Sequence, residues 1–375
     1  MSARFPILCI MESRPEDAIL SSGLIRRLHH EVPGAAFTIV AGEQSAPLFR
    51  DTPNLDQLLV IEGDGKGTRV LKLWSQVRSQ KWGLVVDLRG TDVSGLLNRQ
   101  KRAVRQPWPK DQPLAHKVVQ AARVLTLEDD APAPWLFTSD ETEAAAVEAL
   151  GGDWNKGGSG PILAIGPGAD WIGKTWQAER FAKIAGHLLG PDGPMADGRL
   201  LIVGVEADRE AAHTIRMTVG RDRVIEAQGR LSRLQACALL KRCRLYVGND
   251  SMWTHLASAA RIPVLGVFGP SDETLEGPWG PQARAVRGPK QMDDFRLHDP
   301  RLDQTINHMY DVPVDKVLEA ALRLHAETEP GWQPAAAEPE PEPEAAEAAP
   351  AAEASEDRAL ELAEAFTAAE RTRGA

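Results

Sequence analysis

The amino-acid sequence has only three cysteines among its 375 residues and no run of about 18 apolar residues. Cys9, Cys237 and Cys243 lie in apolar surroundings and lack the spacing of metal ligands, which argues against a disulfide scaffold and fits a reducing compartment. A membrane-spanning helix is therefore not expected, and the first residues lead into a short strand instead of a signal sequence. We expect a cytoplasmic protein.

An excess of basic charge is also missing. The chain has 43 basic and 53 acidic side chains, a formal charge of −10, and residues 331–375 hold eleven of the acids and three of the bases. The rest of the chain is close to neutral, so a nucleic-acid-binding protein of the usual basic kind is disfavoured. In the tail, the Ala/Glu/Pro tract from Ala335 to Ala354 cannot bury enough apolar surface to fold, and we predict disorder there with a short helix over 355–371.

Short apolar strands alternate with amphipathic helices through most of the chain. The predicted strands include Ile7–Met11 and Ile162–Ile165, and the predicted helices include Asp17–His30 and Ala178–Leu189. This rhythm is typical of an α/β fold with two doubly wound, Rossmann-like domains. We predict an N-terminal domain over 1–150, a glycine-rich hinge linker over 151–160, a C-terminal domain over 161–330 and an acidic tail over 331–375.

Ligands of doubly wound sheets bind at the carboxyl ends of the strands, and the loop after Ile162–Ile165 has the composition of a phosphate site. Gly168 lets the backbone approach a ligand, Lys174 and Thr175 follow, and a helix starts shortly afterwards. The segment also matches the P-loop pattern GxxxxGK[ST], so a P-loop NTPase stays open as an alternative. Such an enzyme needs a magnesium-binding acid after a second apolar strand, and the strand that leads to Asp250 is interrupted by glycine and asparagine.

A second polar loop follows the strand that starts at Leu245. It contains Asp250 and Ser251, which are residue types that cap helices, and then Thr254 and His255 in the first turns of a predicted helix. Each of these residues taken alone is more often structural than functional. Two such loops at strand ends of one domain predict a shared ligand.

Three ordered segments resemble glycosyltransferase family 9, the bacterial heptosyltransferases of lipopolysaccharide core assembly. They are Lys174-Thr-Trp-Gln177, Asp250-Ser-Met-Trp-Thr-His-Leu-Ala257 and the strand and turn Val264–Asp272. The first half agrees more loosely, at Glu16-Asp17 and at Asp87-Leu-Arg89. The resemblance implies a GT-B architecture, in which two Rossmann-like domains face a central cleft.

The resemblance also implies a nucleotide-sugar donor, an ADP-heptose or a related ADP-sugar, bound by the C-terminal domain. The donor-binding residues would then be Gly168, Lys174, Thr175, Glu206, Asp250, Ser251, Met252, Thr254 and His255. Lys174 and the amides near Ser251 would neutralise the diphosphate, and Glu206 would accept hydrogen bonds from the ribose. No metal and no further cofactor are expected, and the absence of any Asp-x-Asp pair from the sequence is consistent with this.

Catalysis and acceptor binding are expected of the N-terminal domain. Asp17, after the first strand, would take the proton of the acceptor hydroxyl, and a single displacement would invert the anomeric carbon. The alternative role of Asp17 is that of a helix N-cap. The acceptor, an anionic glycan or a lipid-linked one, would be bound by four bases, Arg89, Lys101, Arg102 and Arg105. With a lipid-linked acceptor, the resemblance also implies peripheral contact of the cytoplasmic protein with the inner membrane surface.

Departures from the family pattern leave a non-catalytic relative that binds nucleotide sugars open as an alternative. Glu16 stands where the family prefers glycine and would place a second carboxylate beside Asp17. Met252 also stands at a glycine position, and a positive φ there would be costly for methionine. Gln177 replaces a proline, which removes only a preorganised first helical turn.

Overall fold

The structure, a computed structural model, describes residues 4–61, 66–302 and 305–328. The disorder and the helix predicted for the tail lie outside these residues. The chain divides into two compact units, with the boundary between Phe137 and Thr138. Each unit contains one parallel β-sheet with its own helices, so the predicted α/β class is confirmed.

The first unit is built on a five-stranded parallel sheet. Its strands are β1 (Phe5–Ile10), β2 (Ala35–Gly42), β3 (Leu55–Ile61), β4 (Trp82–Asp87) and β5 (Arg99–Val104), and its helices are α1 (Pro15–Leu20), α2 (Gly23–Glu31), α3 (Lys66–Val77), α4 (Val93–Leu96) and α5 (Lys117–Ala122). The strand order is β3-β2-β1-β4-β5. The central strand β1 is almost completely buried, as expected of a parallel strand that is covered on both faces.

The predicted helix Asp17–His30 is wrong in its continuity, because two helices, α1 and α2, occupy this stretch. The hydroxyl of Ser22 donates a 2.6 Å hydrogen bond back to the carbonyl of Ile19, a contact that competes with the helical pattern. Gly23 then begins α2 so close to a neighbouring segment that a Cβ there would lie 2.3 Å from the carbonyl oxygen of Ala133. The break lets the chain turn between the two helices.

The second unit is built on a six-stranded parallel sheet. Its strands are β6 (Ile162–Gly166), β7 (Arg199–Ile202), β8 (Val224–Glu226), β9 (Leu245–Asn249), β10 (Val264–Phe268) and β11 (Ala283–Arg287), and its helices are α6 (Asp140–Leu150), α7 (Ala178–Leu189), α8 (Arg209–Arg216), α9 (Arg233–Leu240), α10 (Met252–Ala259), α11 (Glu273–Glu276), α12 (Met292–His298) and α13 (Val314–Glu327). The strand order β8-β7-β6-β9-β10-β11 is that of a Rossmann fold. In both sheets the order reverses beside the first strand of the unit, where ligands of such folds bind.

The helix α6 belongs to the second unit, so the division between the units precedes the predicted linker 151–160. This helix packs on α9, and its Glu143 forms an ion pair with Arg242. Within the predicted linker, Trp154 is buried and its carbonyl accepts a 2.7 Å hydrogen bond from Arg199. Glycine composition alone did not reveal these contacts, which hold the segment on the second sheet.

Three strands escape the sequence pattern, and all three lie at sheet edges. They are β5, β8 and β11. The strand β5 reads RQKRAV, and its sequence pattern indicated only two acceptor-binding bases, Lys101 and Arg102. Edge strands accept charged residues because one side of the strand stays in water and charge there blocks unwanted pairing.

Within the described residues, no helix is both long and apolar enough to traverse a lipid bilayer. The helix α13, with 14 residues, is the longest of them, and a span needs about 20.

Tyr246 imposes a requirement for glycine on two neighbouring strands. Its side chain is fully buried, and its phenol oxygen lies beside Gly166 and Gly248, which are paired across β6 and β9. A Cβ at these glycines would lie 2.1 and 2.2 Å from that oxygen.

We therefore expect Gly248→Ala to lower the free energy of unfolding by about 1–3 kcal/mol, because a methyl group is forced into a filled space. Urea unfolding measures this loss. Gly152→Ala serves as the control, since no heavy atom lies within 4 Å of a Cβ built there, and its effect should stay below about 0.5 kcal/mol. Equal stabilities of the two variants would show that the space around Tyr246 is not filled as described.

Candidate functional site

The two polar loops of the second unit meet at the point where its strand order reverses. Gly166 and Gly248 are paired at the ends of the adjacent strands β6 and β9, so the loops beyond them leave the sheet side by side. One loop passes through the short 3-10 turn Ile172–Lys174 on its way to α7, and the other passes through Asp250 and Ser251 into α10. The structure thus brings the two predicted donor loops together.

Asn249, the last residue of β9, joins these loops. Its Oδ1 accepts a hydrogen bond from the backbone N–H of Trp176 at 3.0 Å, and its Nδ2 donates to the carbonyl of Pro167 at 2.6 Å. The side chain is fully buried, so a lost partner could not be replaced by water. In the sequence, Asn249 is visible only as an interruption of an apolar strand, whereas in the structure it fastens both ends of the loop that carries Lys174.

Lys174 forms an ion pair with Asp250. The Nζ atom lies 2.8 Å from Asp250 Oδ2 and 3.9 Å from Asp170 Oδ1, and Ser271 Oγ donates a 2.6 Å hydrogen bond to the same oxygen of Asp250. Burial lowers the pKa of Lys174, but the carboxylates around it, Asp250 first, outweigh burial and raise that pKa above its ordinary value. The ammonium group is therefore a permanent cation at the carboxyl edge of the sheet.

The helix α10 begins beside this ion pair. Ser251 is its N-cap residue in extended backbone, and Met252 is its first helical residue and is not one of the residues with positive φ. The strain considered for methionine at this position is therefore absent. Thr254 and His255 are buried. Thr254 Oγ1 donates to the carbonyl of Asn249 at 2.6 Å, so this threonine holds the backbone at the start of the loop between β9 and α10.

Glu206 follows β7, the strand next to β6. Its exposed carboxylate lies 2.8 Å from Arg209 Nε and rests against Gly229, where a Cβ would lie 2.5 Å from Glu206 Oε2. Gly168 of the neighbouring loop lies against the half-buried carboxylate of Asp208, and a Cβ at Gly168 would lie 2.4 Å from its Oδ2. Burial raises the pKa of Asp208. At the carboxyl edge of the second sheet, the carboxylate of Glu206 is therefore exposed to solvent, whereas the carboxylate of Asp208 is half-buried.

A segment that is distant in sequence supports the Lys174 loop from the other side. Asn307 Nδ2 donates to the carbonyl of Thr175 at 2.8 Å, and the backbone N–H of His308 donates to the carbonyl of Gly173 at 3.2 Å. The imidazole ring of His308 lies 5.5 Å from the ring of Trp171, measured between centroids. These contacts limit the motion of the loop at three of its residues.

The loop does not have the geometry of a P-loop. In that motif, the glycine-rich segment runs directly from the strand into the helix that its lysine and threonine begin. Here Lys174 ends a 3-10 turn, Thr175 is extended, and α7 begins only at Ala178. The hydroxyl of Thr175 donates to the carbonyl of Trp171 at 3.2 Å. The P-loop alternative is therefore dropped.

In the first unit, charged side chains gather beyond β1. Asp17 is the third residue of α1, whose N-cap is Arg14, so the alternative role of Asp17 as an N-cap is wrong. Its Oδ1 lies 2.9 Å from Lys117 Nζ. Glu12, which the sequence analysis missed, forms an ion pair with Arg105. Burial raises the pKa of Glu12 although Arg105 lowers it, and the charge of Asp17 adds to the rise.

The four predicted acceptor-binding bases do not lie together. Arg105 belongs to the cluster beyond β1, and Arg89 follows β4 in a turn whose N–H groups bond to the buried carboxylate of Asp87, that of Arg89 at 3.1 Å. Arg102 lies within the edge strand β5 and donates to a serine hydroxyl of α4 at 2.9 Å. Lys101 points to the opposite face, because side chains alternate along a strand. Of the four bases, only Arg89 and Arg105 therefore lie at the carboxyl end of the first sheet, where Asp17 also lies.

Four residues around the two ion pairs were not predicted from the sequence. They are Glu12, Asn249, Ser271 and Asn307. Glu12 carried a usable signal, since it is an acid just after an apolar strand, whereas the others are partners across long sequence separations. Within the part of the chain that the structure describes, no three His, Cys, Asp or Glu side chains are grouped so that they could share a metal ion.

Two parallel sheets, the second with the strand order of a Rossmann fold and with a lysine and a helix N-terminus at its reversal point, are typical of α/β proteins that bind ligands at that point. The model of glycosyltransferase family 9 (heptosyltransferase) matches residues 77–302. The chain belongs to this family and is a glycosyltransferase, as the resemblance in its sequence indicated.

Individual members of this family are similar to the chain in sequence and in fold. Lipopolysaccharide heptosyltransferase 2 of Salmonella typhimurium is 23% identical over 310 residues, which cover 75% of this chain and 87% of that protein. The solved structure of E. coli ADP-heptose lps heptosyltransferase II has a TM-score of 0.65 at 19% identity and covers 86% of this chain and 99% of its own. A glycosyltransferase of family 9 from Veillonella parvula has a TM-score of 0.67 at 19% identity and covers 88% and 99%. At such identities the solved structures show the shared fold.

The bridge made by Asn249 leads to a prediction. Asn249→Ala removes the acceptor of the Trp176 N–H, so we expect faster hydrogen exchange over residues 167–176 and a loss of about 1–3 kcal/mol in the free energy of unfolding. Exchange measured by mass spectrometry, together with thermal unfolding, tests this. Asn98→Ala is the control, because the side chain of Asn98 is exposed. Unchanged exchange over 167–176 in Asn249→Ala would contradict the bridging role.

Proposed function

We propose that this chain is an inverting, metal-independent heptosyltransferase, which transfers a heptose or a related sugar from an ADP-linked donor to a lipopolysaccharide core or a similar glycan. The observation that carries the proposal is the ion pair of Lys174 with Asp250 at the start of α10. A permanent cation beside free helical N–H groups suits a diphosphate. The name of the E. coli protein of the same fold, an ADP-heptose heptosyltransferase, supports the choice of nucleotide and sugar.

The donor diphosphate would compete with Asp250 for the ammonium group of Lys174. The amides of Ser251 and Met252 at the start of α10 would donate to the same phosphates. As the glycosidic bond breaks, negative charge develops on ADP, and these fixed donors stabilise it. Thr254 acts as a positioning residue, because its buried hydroxyl holds the loop backbone.

Glu206 is the proposed partner of the ribose. It lies just after β7, the second strand of its Rossmann unit, and in dinucleotide-binding folds an acid after the second strand accepts hydrogen bonds from the ribose. Its exposed carboxylate would release its ion-pair partner Arg209 and accept hydrogen bonds from the ribose hydroxyls instead. Gly168 and Thr175 would shape the loop around the phosphates, and His255 would support α10 from within.

Asp17 is the proposed general base. Its carboxylate takes the proton of the acceptor hydroxyl while the hydroxyl oxygen forms a bond to the anomeric carbon. The bond from that carbon to the phosphate oxygen breaks, and its electron pair leaves with ADP. This single displacement inverts the anomeric centre. Lys117, at 2.9 Å, holds the carboxylate of Asp17 in place.

The acceptor is proposed to be anionic. Arg89 and Arg105 lie at the same end of the sheet as Asp17, so they are the bases best placed to bind its acidic groups. Lys101 and Arg102 lie farther back along β5 and are less suited to this role. The names of the relatives indicate lipopolysaccharide acceptors for those proteins, so we place the reaction on the cytoplasmic side of the inner membrane.

The donor site leads to the third prediction. ADP should raise the melting temperature of the wild type equally with and without EDTA, and Lys174→Ala should weaken ADP binding about tenfold or more, because a charge-assisted contact to phosphate is lost. Thermal-shift titration measures both effects. Lys183→Ala, an exposed lysine of α7, is the matched control. A requirement for a divalent cation, or full ADP binding by Lys174→Ala, would refute the proposed donor site.

The general base leads to the fourth prediction. Asp17→Asn keeps the shape of the side chain, so it should preserve ADP binding and lower the rate of sugar transfer about 100-fold or more. ADP release in the presence of acceptor, with thermal shift in parallel, separates the two effects. Glu16→Gln, which changes the neighbouring acid of the same helix, should retain most of the activity. If Asp17→Asn turned over at the rate of the wild type, another residue would have to be the base.

A further inference from the structure

The loop after β10 (residues 269–272) supports the carboxylate of Asp250. Ser271 in this loop donates a 2.6 Å hydrogen bond from its Oγ to Asp250 Oδ2, the oxygen that lies 2.8 Å from Lys174 Nζ. The side chain of Asp250 is only 6% exposed, and Ser271 is buried. One enclosed carboxylate oxygen therefore has two donors, and water is poorly placed to replace either of them.

Arg287, the last residue of β11, fixes the backbone of this loop. It is paired with Phe268, the last residue of β10, so its side chain starts next to the point where the loop leaves the sheet. Its Nη2 atom donates to the carbonyls of Gly269 and Ser271, both at 2.7 Å. A planar guanidinium with several N–H groups suits such a bridge, whereas the ammonium group of a lysine lacks that geometry.

The other nitrogens of Arg287 are also engaged. Its Nε lies 3.1 Å from Glu273 Oε2, and its Nη1 donates to Gln291 Oε1 at 3.1 Å. The side chain is 13% exposed. Because its donors face the loop and α11, Arg287 is suited to hold the backbone of Ser271 and not to bind a phosphate directly.

Binding of a diphosphate would change the partners of Asp250. When the phosphates draw Lys174 away, the enclosed carboxylate loses its cation, and a buried charge that loses its partner is costly. The hydrogen bond from Ser271 offsets part of this cost, since a hydrogen bond to an ionised group is stronger than one between neutral groups. The affinity for the donor then depends on how firmly Ser271 is held against Asp250.

We propose that Ser271 and Arg287 are positioning residues that set the affinity of the donor site. Ser271 holds the carboxylate of Asp250 while Lys174 turns to the diphosphate, and Arg287 holds Ser271 through the backbone of the loop. Neither residue needs to contact the donor. The inference rests on the proposed ADP-linked donor, and it explains how one lysine can serve both a buried carboxylate and a phosphate.

Calorimetric titration of the full chain with ADP tests the proposal. Ser271→Ala should raise the dissociation constant of ADP about fivefold or more, because a hydrogen bond to a charged group is lost. Arg287→Lys should raise it about threefold or more, since lysine keeps the charge but not the bridge between two carbonyls. The matched control is Arg284→Lys on the same strand, whose guanidinium pairs with Glu327 of α13, and it should bind ADP like the wild type.

Asp250→Asn separates this role from a purely structural one. Once the charge of Asp250 is removed, Ser271→Ala should change the dissociation constant less than about twofold, because the hydroxyl no longer holds a carboxylate. Melting temperatures measured in parallel show that each variant is folded at the temperature of the titration.

Three results would overturn the inference: unchanged ADP affinity in Ser271→Ala, the same loss with and without the charge of Asp250, or equal losses in Arg284→Lys and Arg287→Lys. Each of them presupposes that the wild type binds ADP. A wild type that does not bind ADP would refute the proposed donor itself, and this inference with it.

Discussion

The amide side chain of Asn249 is the constraint on which the candidate donor site depends. Two adjacent parallel strands place their following loops side by side, but they do not fix the loops against each other. Asn249 does so, because one end of its amide bonds to Trp176 and the other end to Pro167. With the loop held at both ends, Lys174 reaches Asp250 at 2.8 Å. Tyr246 also packs densely against Gly166 and Gly248 at the ends of these two strands.

The two units share one arrangement of charge. Each has a carboxylate paired with a lysine beyond the strands where its sheet order reverses, Asp17 with Lys117 in the first unit and Asp250 with Lys174 in the second. Partly buried pairs of this kind are retained only where further bonds hold them, since desolvation offsets much of their attraction. Asp250 has such a bond from Ser271. In the proposed reaction, the carboxylate acts in the first unit and the ammonium group in the second.

The departures from the family pattern are accommodated locally. Met252 sits in ordinary helical backbone, and Gln177 has a φ of −62°, the value to which proline is restricted, so the glutamine keeps the backbone of the residue it replaces. Glu16 adds a carboxylate beside Asp17, but Arg14 Nε lies 3.9 Å from a carboxylate oxygen of each acid. These positions therefore change side-chain chemistry and leave the loop geometry intact.

The sequence by itself determined the α/β class, the two sheets, the loops that carry the candidate site and the family, because apolar periodicity and short motifs are local properties of a chain. It failed where the answer depended on strand order. The charged residues of β5 did not predict a strand, and Arg102 was grouped with Arg105 among the acceptor-binding bases although they lie at different places on the sheet. Only the tertiary structure decided the partners of Lys174, Thr175 and Asp17, which involve contacts such as that of Asn307 with Thr175, 132 residues away. Such pairs are set by which strands are neighbours and in what register, and no local pattern in the sequence encodes that choice.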